Sequence, residues 1–175
     1  MQEDYITKLI VSAKKGKKES YLELCNLYLK KIYNLSLRIV LNKNIAEELT
    51  QNSYIEAWEE FESYDEEEEF EIWIKNITVN NILDEIRTND IKKKLIKGQV
   101  ITENDFLPSS PDKYERIILL LPDLERIPFI LHEIEEYSYE EISEFYEDMN
   151  TDEIKDIIRE TRNTFLNLLE YENEE

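Results

Sequence analysis

Apolar residues recur every three or four positions through the first forty residues. This spacing places them on one face of a helix, so the pattern predicts a long amphipathic helix. A shorter amphipathic segment, which holds Leu9, Ile10 and Ala13, comes before it and predicts a separate short helix. The stripe of the long helix consists of Tyr21, Leu24, Cys25, Tyr28, Ile32, Leu35 and Ile39.

Two further helices are predicted before residue 90. Asn44 followed by Glu47 is typical of a capping box, which predicts a helix start at Asn44. An acidic segment, Glu59–Glu71, then precedes a helix that opens near Phe70 and runs to Arg87. Residues 1–90 are therefore predicted to form one helical domain. The apolar face of its third helix is Ile45, Leu49, Ala57, Trp58 and Phe61, with Leu49 and Trp58 expected to be buried.

Residues 91–111 have weak periodicity and contain Lys92–Lys94, Gly98 and Pro108–Pro111, which predicts a flexible linker. Residues 112–169 are predicted to form a second helical domain, followed by an acidic tail at 170–175. We expect Pro128 to kink or delay one helix of this domain, because proline lacks an amide hydrogen.

Two capping boxes mark the end of the second domain. Ser138 with Glu141 predicts the start of a short helix, and Asn150 with Glu153 predicts the start of a longer one. A short helix, a tight connection and a longer helix form the helix-turn-helix pattern.

Composition agrees with an all-α fold of two small helical domains. The chain has 175 residues, 41% of them hydrophobic, but two glycines and four prolines, too little turn chemistry for a many-stranded sheet. The single Cys25 lies among apolar residues and is expected to pack in the core of a protein from a reducing compartment. The polar start and the lack of a long apolar run predict a cytoplasmic protein without signal peptide or membrane anchor.

Net charge is −20, and it is unevenly distributed. Residues 1–58 carry nine basic and seven acidic residues, residues 59–120 carry eight and sixteen, and residues 121–175 carry four and eighteen. A surface this acidic repels phosphates, which argues against a protein that simply coats nucleic acid.

The residues needed for catalysis are missing. His132 is the only histidine, so a histidine-based metal cluster or catalytic triad is excluded, and it is expected to lie on a helix surface. With Gly16 and Gly98 as the only glycines, no phosphate-binding glycine loop exists. We therefore expect no enzyme, metal or cofactor, and recognition through helix faces instead.

The segment from Asn44 to Trp58 contains Ala46, Glu47, Glu48, Leu49, Gln51, Tyr54, Ala57 and Trp58. In the spacing of these residues the segment resembles region 2 of extracytoplasmic-function sigma factors. In the family this helix docks on the clamp coiled coil of RNA polymerase. The simpler alternative is an acidic solvated helix face. The resemblance implies polymerase binding by Asn44, Glu47, Glu48, Gln51, Asn52 and Glu56.

The segment from Phe70 to Asn80 resembles the sigma helix that helps to melt and read the minus-ten element. Trp73 in that pattern is expected mainly to pack. The family's basic cluster at the end of this helix is replaced by Leu83–Asp90, and Glu66–Glu69 lie in the loop that approaches the displaced strand. Both departures weaken the implied DNA contact. The residues implied to contact DNA are Trp73, Lys75, Asn76, Thr78, Asn80, Asn81 and Arg87.

The second domain resembles sigma region 4, with Leu121–Pro122 at its start and Ser138–Ile142 in the helix-turn-helix. Ile157 and Glu160 stand where the family usually has arginine, and one residue is inserted near Glu147–Thr151. Recognition helices need cations toward phosphates, so these departures predict weakened DNA recognition. The residues implied to contact DNA here are Ser138, Tyr139, Lys155, Arg159 and Arg162.

The leading hypothesis is a divergent sigma factor that directs transcription initiation. The implied partners are core RNA polymerase, through its clamp coiled coil and flap, promoter DNA, bound weakly or with help, and an anti-sigma factor or a DNA-targeting partner; no membrane partner is expected. A second hypothesis is a sigma factor brought to DNA by that targeting partner. A third is a non-initiating acidic protein that occupies polymerase or a basic partner. A stand-alone helix-turn-helix regulator ranks lower, because it leaves the first domain unexplained.

Overall fold

The computed structural model describes residues 2–87 and 113–174, and all regular structure in this part is α-helical, which confirms the predicted fold class. The chain divides into two compact units, residues 1–101 and 102–175. The predicted linker, 91–111, lies outside the described residues. The first unit contains α1 (Gln2–Lys14), α2 (Lys18–Val40), α3 (Lys43–Glu59) and α4 (Phe70–Arg87). The second contains α5 (Lys113–Ile118), α6 (Asp123–Glu133), α7 (Tyr139–Glu144) and α8 (Thr151–Glu174).

The turn between α1 and α2 depends on a glycine. Gly16 adopts φ +82°, a left-handed conformation that side chains with a Cβ disfavour. Its amide donates to the carbonyl of Ala13 at 2.8 Å, which closes the end of α1. The chain can therefore reverse direction within a few residues, and α2 packs beside α1.

The start of α3 differs from the sequence prediction. Leu41 adopts a left-handed conformation with φ 47°, and its amide donates to the carbonyl of Leu37 at 2.9 Å, which ends α2. Asn42 is the N-cap of α3, because its side-chain oxygen accepts from the amide of Ile45 at 3.2 Å. The predicted cap at Asn44 is therefore wrong, and Asn44 lies inside the first turn.

The core of the first unit joins all four helices around aromatic rings. Phe61 contacts Tyr21, Tyr64, Phe70 and Trp73, with ring centroids 5.2 to 6.2 Å apart. Pairs at such distances add to the free energy gained from burial. Phe61 thus fixes the loop between α3 and α4 against the helices.

In the second unit α6 begins at Asp123, five residues before Pro128, and continues to Glu133. Pro128 therefore does not delay the helix. Arg126 on this helix is 2% exposed, and its Nη1 donates to the carbonyl of Leu121 at 2.8 Å. This bond links α6 to the turn that follows α5.

Both predicted capping boxes of the second unit are confirmed. Ser138 accepts from the amide of Glu141 at 3.2 Å, while Glu141 accepts from the amide of Ser138 at 2.8 Å. Asn150 and Glu153 bond reciprocally in the same way, at 3.1 and 2.8 Å. The longer helix extends to Glu174, so most of the predicted acidic tail continues α8.

Candidate functional site

One face of α3 carries the polar residues that the sequence nominated. Asn44, Glu47, Glu48, Gln51 and Asn52 are exposed, and we call this face the α3 ridge. The opposite face packs inward through Ile45, Ala46 and Leu49. Beneath the ridge, the hydroxyl of buried Thr50 donates to the carbonyl of Ala46, which satisfies this hydroxyl within the helix. The ridge therefore sits on a rigid, packed helix. Between Asn44 and Glu59 the chain has four carboxylates and no lysine or arginine.

Two residues near the end of α3 depart from expectation. Trp58 is partly exposed rather than buried, because it lies at the edge of the aromatic cluster, 4.8 Å from the ring of Tyr21. Glu56 is partly buried, and its Oε2 accepts from Nδ2 of Asn81 on α4 at 2.8 Å. Glu56 therefore ties two helices of the unit together.

The acidic loop before α4 is fixed at both ends. Tyr64 is buried, its ring centroid lies 4.8 Å from that of Trp73 with the rings tilted by 45°, and its hydroxyl donates to the carbonyl of Glu68. Lys14 of α1 donates to the carbonyl of Tyr64 at 2.7 Å and lies 3.3 Å from Glu66. Burial raises the pKa of Glu68, and the charge of Asp65 raises it further.

The α4 residues nominated for DNA contact do not form one open surface. Asn80 is exposed, whereas Trp73 is partly buried within the aromatic cluster. Thr78 is fully buried, and its hydroxyl donates to the carbonyl of Ile74 at 2.7 Å, so in this fold it is not exposed for the DNA contact that the resemblance implied. The sequence indicated a polar group available for binding, but a hydrogen bond within α4 already satisfies this hydroxyl.

The other polar residues of α4 have partners within the unit. The pairs are Lys75 with Glu71 at 3.3 Å, Asn76 with Glu68 at 3.5 Å, Asn81 with Ser53 at 3.3 Å and with Glu56, and Arg87 with Asp84 at 3.1 Å. Phosphate contact at these positions would have to compete with the unit's own acceptors. Carboxylates of the loop and of α4 therefore lie beside the residues that the sequence assigned to DNA contact.

The helix-turn-helix of the second unit centres on Tyr139. Its ring stacks on His132 at 4.2 Å, and Nζ of Lys155 lies 5.7 Å above it. Nδ1 of His132 is 2.8 Å from the carbonyl oxygen of Tyr137. Ser138 caps α7 through its side chain. These contacts hold α6, α7 and α8 together. They also cover much of the Tyr139 ring surface on which a DNA base could stack.

Each of the three cations nominated on α8 pairs with a carboxylate of the same unit. Lys155 lies 3.6 Å from Asp152 and 4.0 Å from Glu140, and Arg159 lies 2.9 Å from Asp156. Nε and Nη2 of Arg162 both donate to Oε1 of Glu133, the former at 3.1 Å. The charges that a DNA-binding helix presents to phosphates are therefore balanced by neighbouring acids.

Comparison with known proteins shows which proteins this chain is similar to. Residues 24–91 match the model of the sigma-70 region 2 family. The chain is 29% identical over 160 residues to the ECF RNA polymerase sigma factor SigW of Bacillus subtilis, covering 79% of this chain and 83% of SigW. It is also 29% identical over 137 residues to the ECF RNA polymerase sigma factor SigE of Mycolicibacterium smegmatis, covering 70% of this chain and 51% of SigE. Residues 24–91 thus carry sigma-70 region 2, and over most of its length the chain is similar to extracytoplasmic-function sigma factors.

Two solved structures share the fold of this chain. The sigma factor RpoE, solved with the anti-sigma factor NepR from Bartonella quintana, superposes with a TM-score of 0.63 at 19% identity. That match covers 87% of this chain and 98% of RpoE. CnrH, solved with the cytosolic domain of CnrY, gives a TM-score of 0.61 at 14% identity over 95% of this chain and 98% of CnrH.

The structure also exposes residues that the motif did not single out. Ile55, in the middle of the α3 sequence motif, is 58% exposed, and Leu22 on α2 is 61% exposed. Helical periodicity could have placed Ile55 beside Gln51 and Asn52, but it gave no reason to expect an apolar neighbour from α2. Among the described helices, none combines the length and the low polarity that a membrane span requires.

Proposed function

We propose that this sigma factor binds core RNA polymerase through the α3 ridge. The observation that carries the proposal is the exposure of five nominated residues, Asn44, Glu47, Glu48, Gln51 and Asn52, on one packed helix. Carboxylates and amides in a row can accept hydrogen bonds and ion pairs from a basic helix, and such complementarity steers association. We place the contact on the clamp coiled coil of the polymerase.

Charge reversal on the ridge tests this proposal. We expect the double variant Glu47→Lys/Glu48→Lys to bind purified core polymerase about tenfold or more weakly, because two attractive contacts become repulsive. The matched control is Glu60→Lys/Glu62→Lys, which reverses two exposed acids just beyond α3 and should stay within about twofold of the parent chain. Equal binding by the ridge variant and the parent chain, measured by biolayer interferometry, would reject the proposal.

We further propose that promoter DNA is bound weakly and that a separate DNA-targeting partner recruits the holoenzyme. Support comes from the ion pairs of Lys155, Arg159 and Arg162, which offset their attraction for phosphates. A holoenzyme reconstituted from core polymerase and this chain should give little open complex on promoter fragments at physiological salt. Strong permanganate reactivity of a promoter bubble under these conditions would show that no such partner is required.

An alternative function is occupation of polymerase without initiation. The net charge of −20 favours this alternative, because it resembles the charge of nucleic acid. The two functions differ in one observable result: a sigma factor supports open-complex formation once DNA is supplied at high concentration, whereas an occupying protein does not. An anti-sigma partner is a further proposal, supported by the solved complex of RpoE with NepR.

A further inference from the structure

Four lysines lie within five residues where α1 ends and α2 begins, in a chain whose net charge is −20. Lys14 pairs with Glu66 at 3.3 Å. Lys15, Lys17 and Lys18 are exposed, and none of them forms an ion pair within the part of the chain that the structure describes. We call the segment from Lys15 to Lys18 the lysine turn. It places three free ammonium groups on the surface of an otherwise acidic chain.

The cations nominated for DNA contact in the second unit are different. Lys155, Arg159 and Arg162 each lie beside a carboxylate of their own unit. A paired cation must share its charge between that carboxylate and an incoming phosphate, whereas a free ammonium group keeps its full attraction. The lysine turn therefore offers a polyanion an attraction that these three α8 residues have largely lost.

The backbone of the lysine turn is fixed. Gly16 adopts φ +82°, its amide donates to the carbonyl of Ala13 at 2.8 Å, and the amide of Lys17 donates to the carbonyl of Ser12 at 3.3 Å. These two bonds form the Schellman motif that closes a helix. The hydroxyl of Ser20 also donates to that of Ser12 at 2.8 Å, which ties α2 to α1. A ligand can therefore bind without ordering a loop, which lowers the cost of binding.

Two of these lysines lie where a cation is unfavourable for the helix itself. Lys17 is the N-cap of α2 and makes no side-chain capping bond, and Lys18 is the first residue of this helix. The start of a helix carries partial positive charge, so it favours acidic side chains and capping oxygens. Helix formation therefore does not explain Lys17 and Lys18, whereas attraction of an anion to this surface does.

Acidic side chains border the lysine turn but do not neutralise it directly. Glu19 follows in the first turn of α2, and Glu59 and Glu62 line a small cavity beside Gly16. All three carboxylates are exposed, so solvent and salt screen their repulsion of a ligand. Direct contact between an ammonium group and a phosphate also releases counterions, which favours binding of a phosphate polymer.

We propose that the lysine turn binds the phosphate backbone of DNA without regard to base sequence. Three ammonium groups within four residues suit a polymer with regularly spaced phosphates, and lysine contacts to phosphate carry no sequence information. The inference rests on the proposed function in naming DNA as the ligand, and it adds a binding site in the first unit. A targeting partner then selects the sequence, and the lysine turn holds the backbone.

The double variant Lys17→Asn/Lys18→Gln tests the inference in the full chain. Its affinity for labelled oligothymidylate and for a short DNA duplex is measured by fluorescence anisotropy. We expect binding about tenfold weaker at low salt on the preferred form of DNA. The slope of log affinity against log salt should become shallower by about 1.4 if the preferred form is the single strand and by about 1.8 if it is the duplex.

The matched control is Lys8→Gln/Lys30→Gln. It removes two exposed lysines elsewhere in the first unit and changes the net charge by the same amount. Its affinity for DNA should stay within about twofold of the parent chain, because salt screens charges that do not touch the phosphates.

Thermal unfolding gives a second readout that separates binding from folding. Lys17→Asn supplies an oxygen that can cap α2, and both substitutions remove a cation from the start of this helix. The binding variant should therefore unfold at a higher temperature than the parent chain, as measured by circular dichroism. Weaker DNA binding by a more stable protein does not arise from misfolding.

Four results would overturn the inference. The parent chain and the binding variant could have the same affinity for both forms of DNA, including no binding by either. Equal losses in the control would assign the effect to net charge. Weaker binding together with a lower unfolding temperature would assign it to damage of α2. Unchanged DNA affinity with weaker binding to core polymerase would assign the lysine turn to an acidic protein surface. The DNA measurements use no polymerase, so failure of the proposed polymerase contact is detected separately, by the ridge variant.

Discussion

Asn81 on α4 donates a hydrogen bond from Nδ2 to Oε2 of Glu56 on α3 at 2.8 Å. The same amide nitrogen lies 3.3 Å from Oγ of buried Ser53. The sequence assigned Glu56 to polymerase and Asn81 to DNA, yet the two side chains bind each other. Their bond joins the helix that carries the proposed polymerase contact to the helix that carries the proposed DNA contact.

The bond should contribute measurably to the stability of the first unit. We expect Asn81→Ala to lower the free energy of unfolding by about 1 kcal/mol, because a partly buried bond to a carboxylate is lost. Both tryptophans lie in this unit, so urea unfolding followed by tryptophan fluorescence reports on it alone. The neighbouring exposed residue supplies the control: Asn80→Ala should change the stability by less than about 0.5 kcal/mol. Equal effects of the two substitutions would contradict a structural role for Asn81.

Two carboxylates near the acidic loop should give opposite pH dependences. Burial alone would raise the pKa of Glu71, but the contacts with Lys31 and Lys75 outweigh burial and lower it. Its contribution to stability is therefore present above the ordinary pKa of a glutamate and is lost as the pH falls through the lowered value. Glu71→Gln should be less stable than the parent chain at pH 7, and the difference should shrink below about pH 4.5.

Glu68 provides the contrasting case, since its pKa is raised by burial and by the charge of Asp65. The folded state then carries a penalty once the pH exceeds the raised value, so Glu68→Gln should be slightly more stable than the parent chain at pH 7. Fluorescence-monitored urea unfolding at pH 7 and pH 3.5 measures both differences. The same sign for both variants at pH 7 would show that the surrounding charges have been assigned incorrectly.

Cys25 should react slowly until the first unit unfolds. It is the single cysteine of the chain, it is buried, and burial raises the pKa of its thiol to about 11. At pH 8 it should hold about a hundredfold less thiolate than an ordinary cysteine, and thiolate is the reactive form. Mass spectrometry after iodoacetamide treatment should show little labelling in buffer and complete labelling in urea. Rapid labelling of the native protein would place Cys25 at the surface.

The acids that face the α8 cations should limit DNA binding. In Glu133→Gln/Asp156→Asn the carboxylates beside Arg162 and Arg159 become neutral while all cations remain. Affinity for duplex DNA at low salt should rise about tenfold, and its salt dependence should steepen as more phosphates are neutralised.

Neutralisation elsewhere in the second unit separates local pairing from total charge. Glu144→Gln/Asp148→Asn changes the net charge equally at two exposed acids outside the ion pairs of α8. This control should raise the affinity less than threefold by fluorescence anisotropy, because screening weakens distant charges. Equal gains in both double variants would assign the effect to net charge.

Local patterns predicted the helices well where a few neighbouring residues decide the geometry. The capping boxes at Ser138 and Asn150 depend on contacts three residues apart, and both form as predicted. The predicted start of α3 was wrong because Asn42, and not Asn44, is its N-cap. Asn42 comes directly after Leu41, whose left-handed conformation does not follow from its residue type. The helix therefore begins after Asn42 and not after Asn44, because the end of α2 sets where α3 can start.

The family motif located the α3 ridge, but side-chain partners on other helices decided which nominated residues remain available. Thr78 has a hydroxyl that could bond to DNA, yet packing buries this side chain completely. Glu56 accepts a hydrogen bond from Asn81, which is distant in the sequence. Contacts of this kind depend on how helices pack, and helical periodicity carries no information about them.

The sequence by itself determined the all-α class, the motif of α3 and the acidity of the chain, because periodicity, spacing and charge are properties of the residue order. Only the tertiary structure decided that Leu22 and Ile55 flank one groove and that Arg162 meets Glu133. Each of these pairs joins different helices. Their meeting depends on the close packing of whole helices, in which every buried side chain restricts the position of the others.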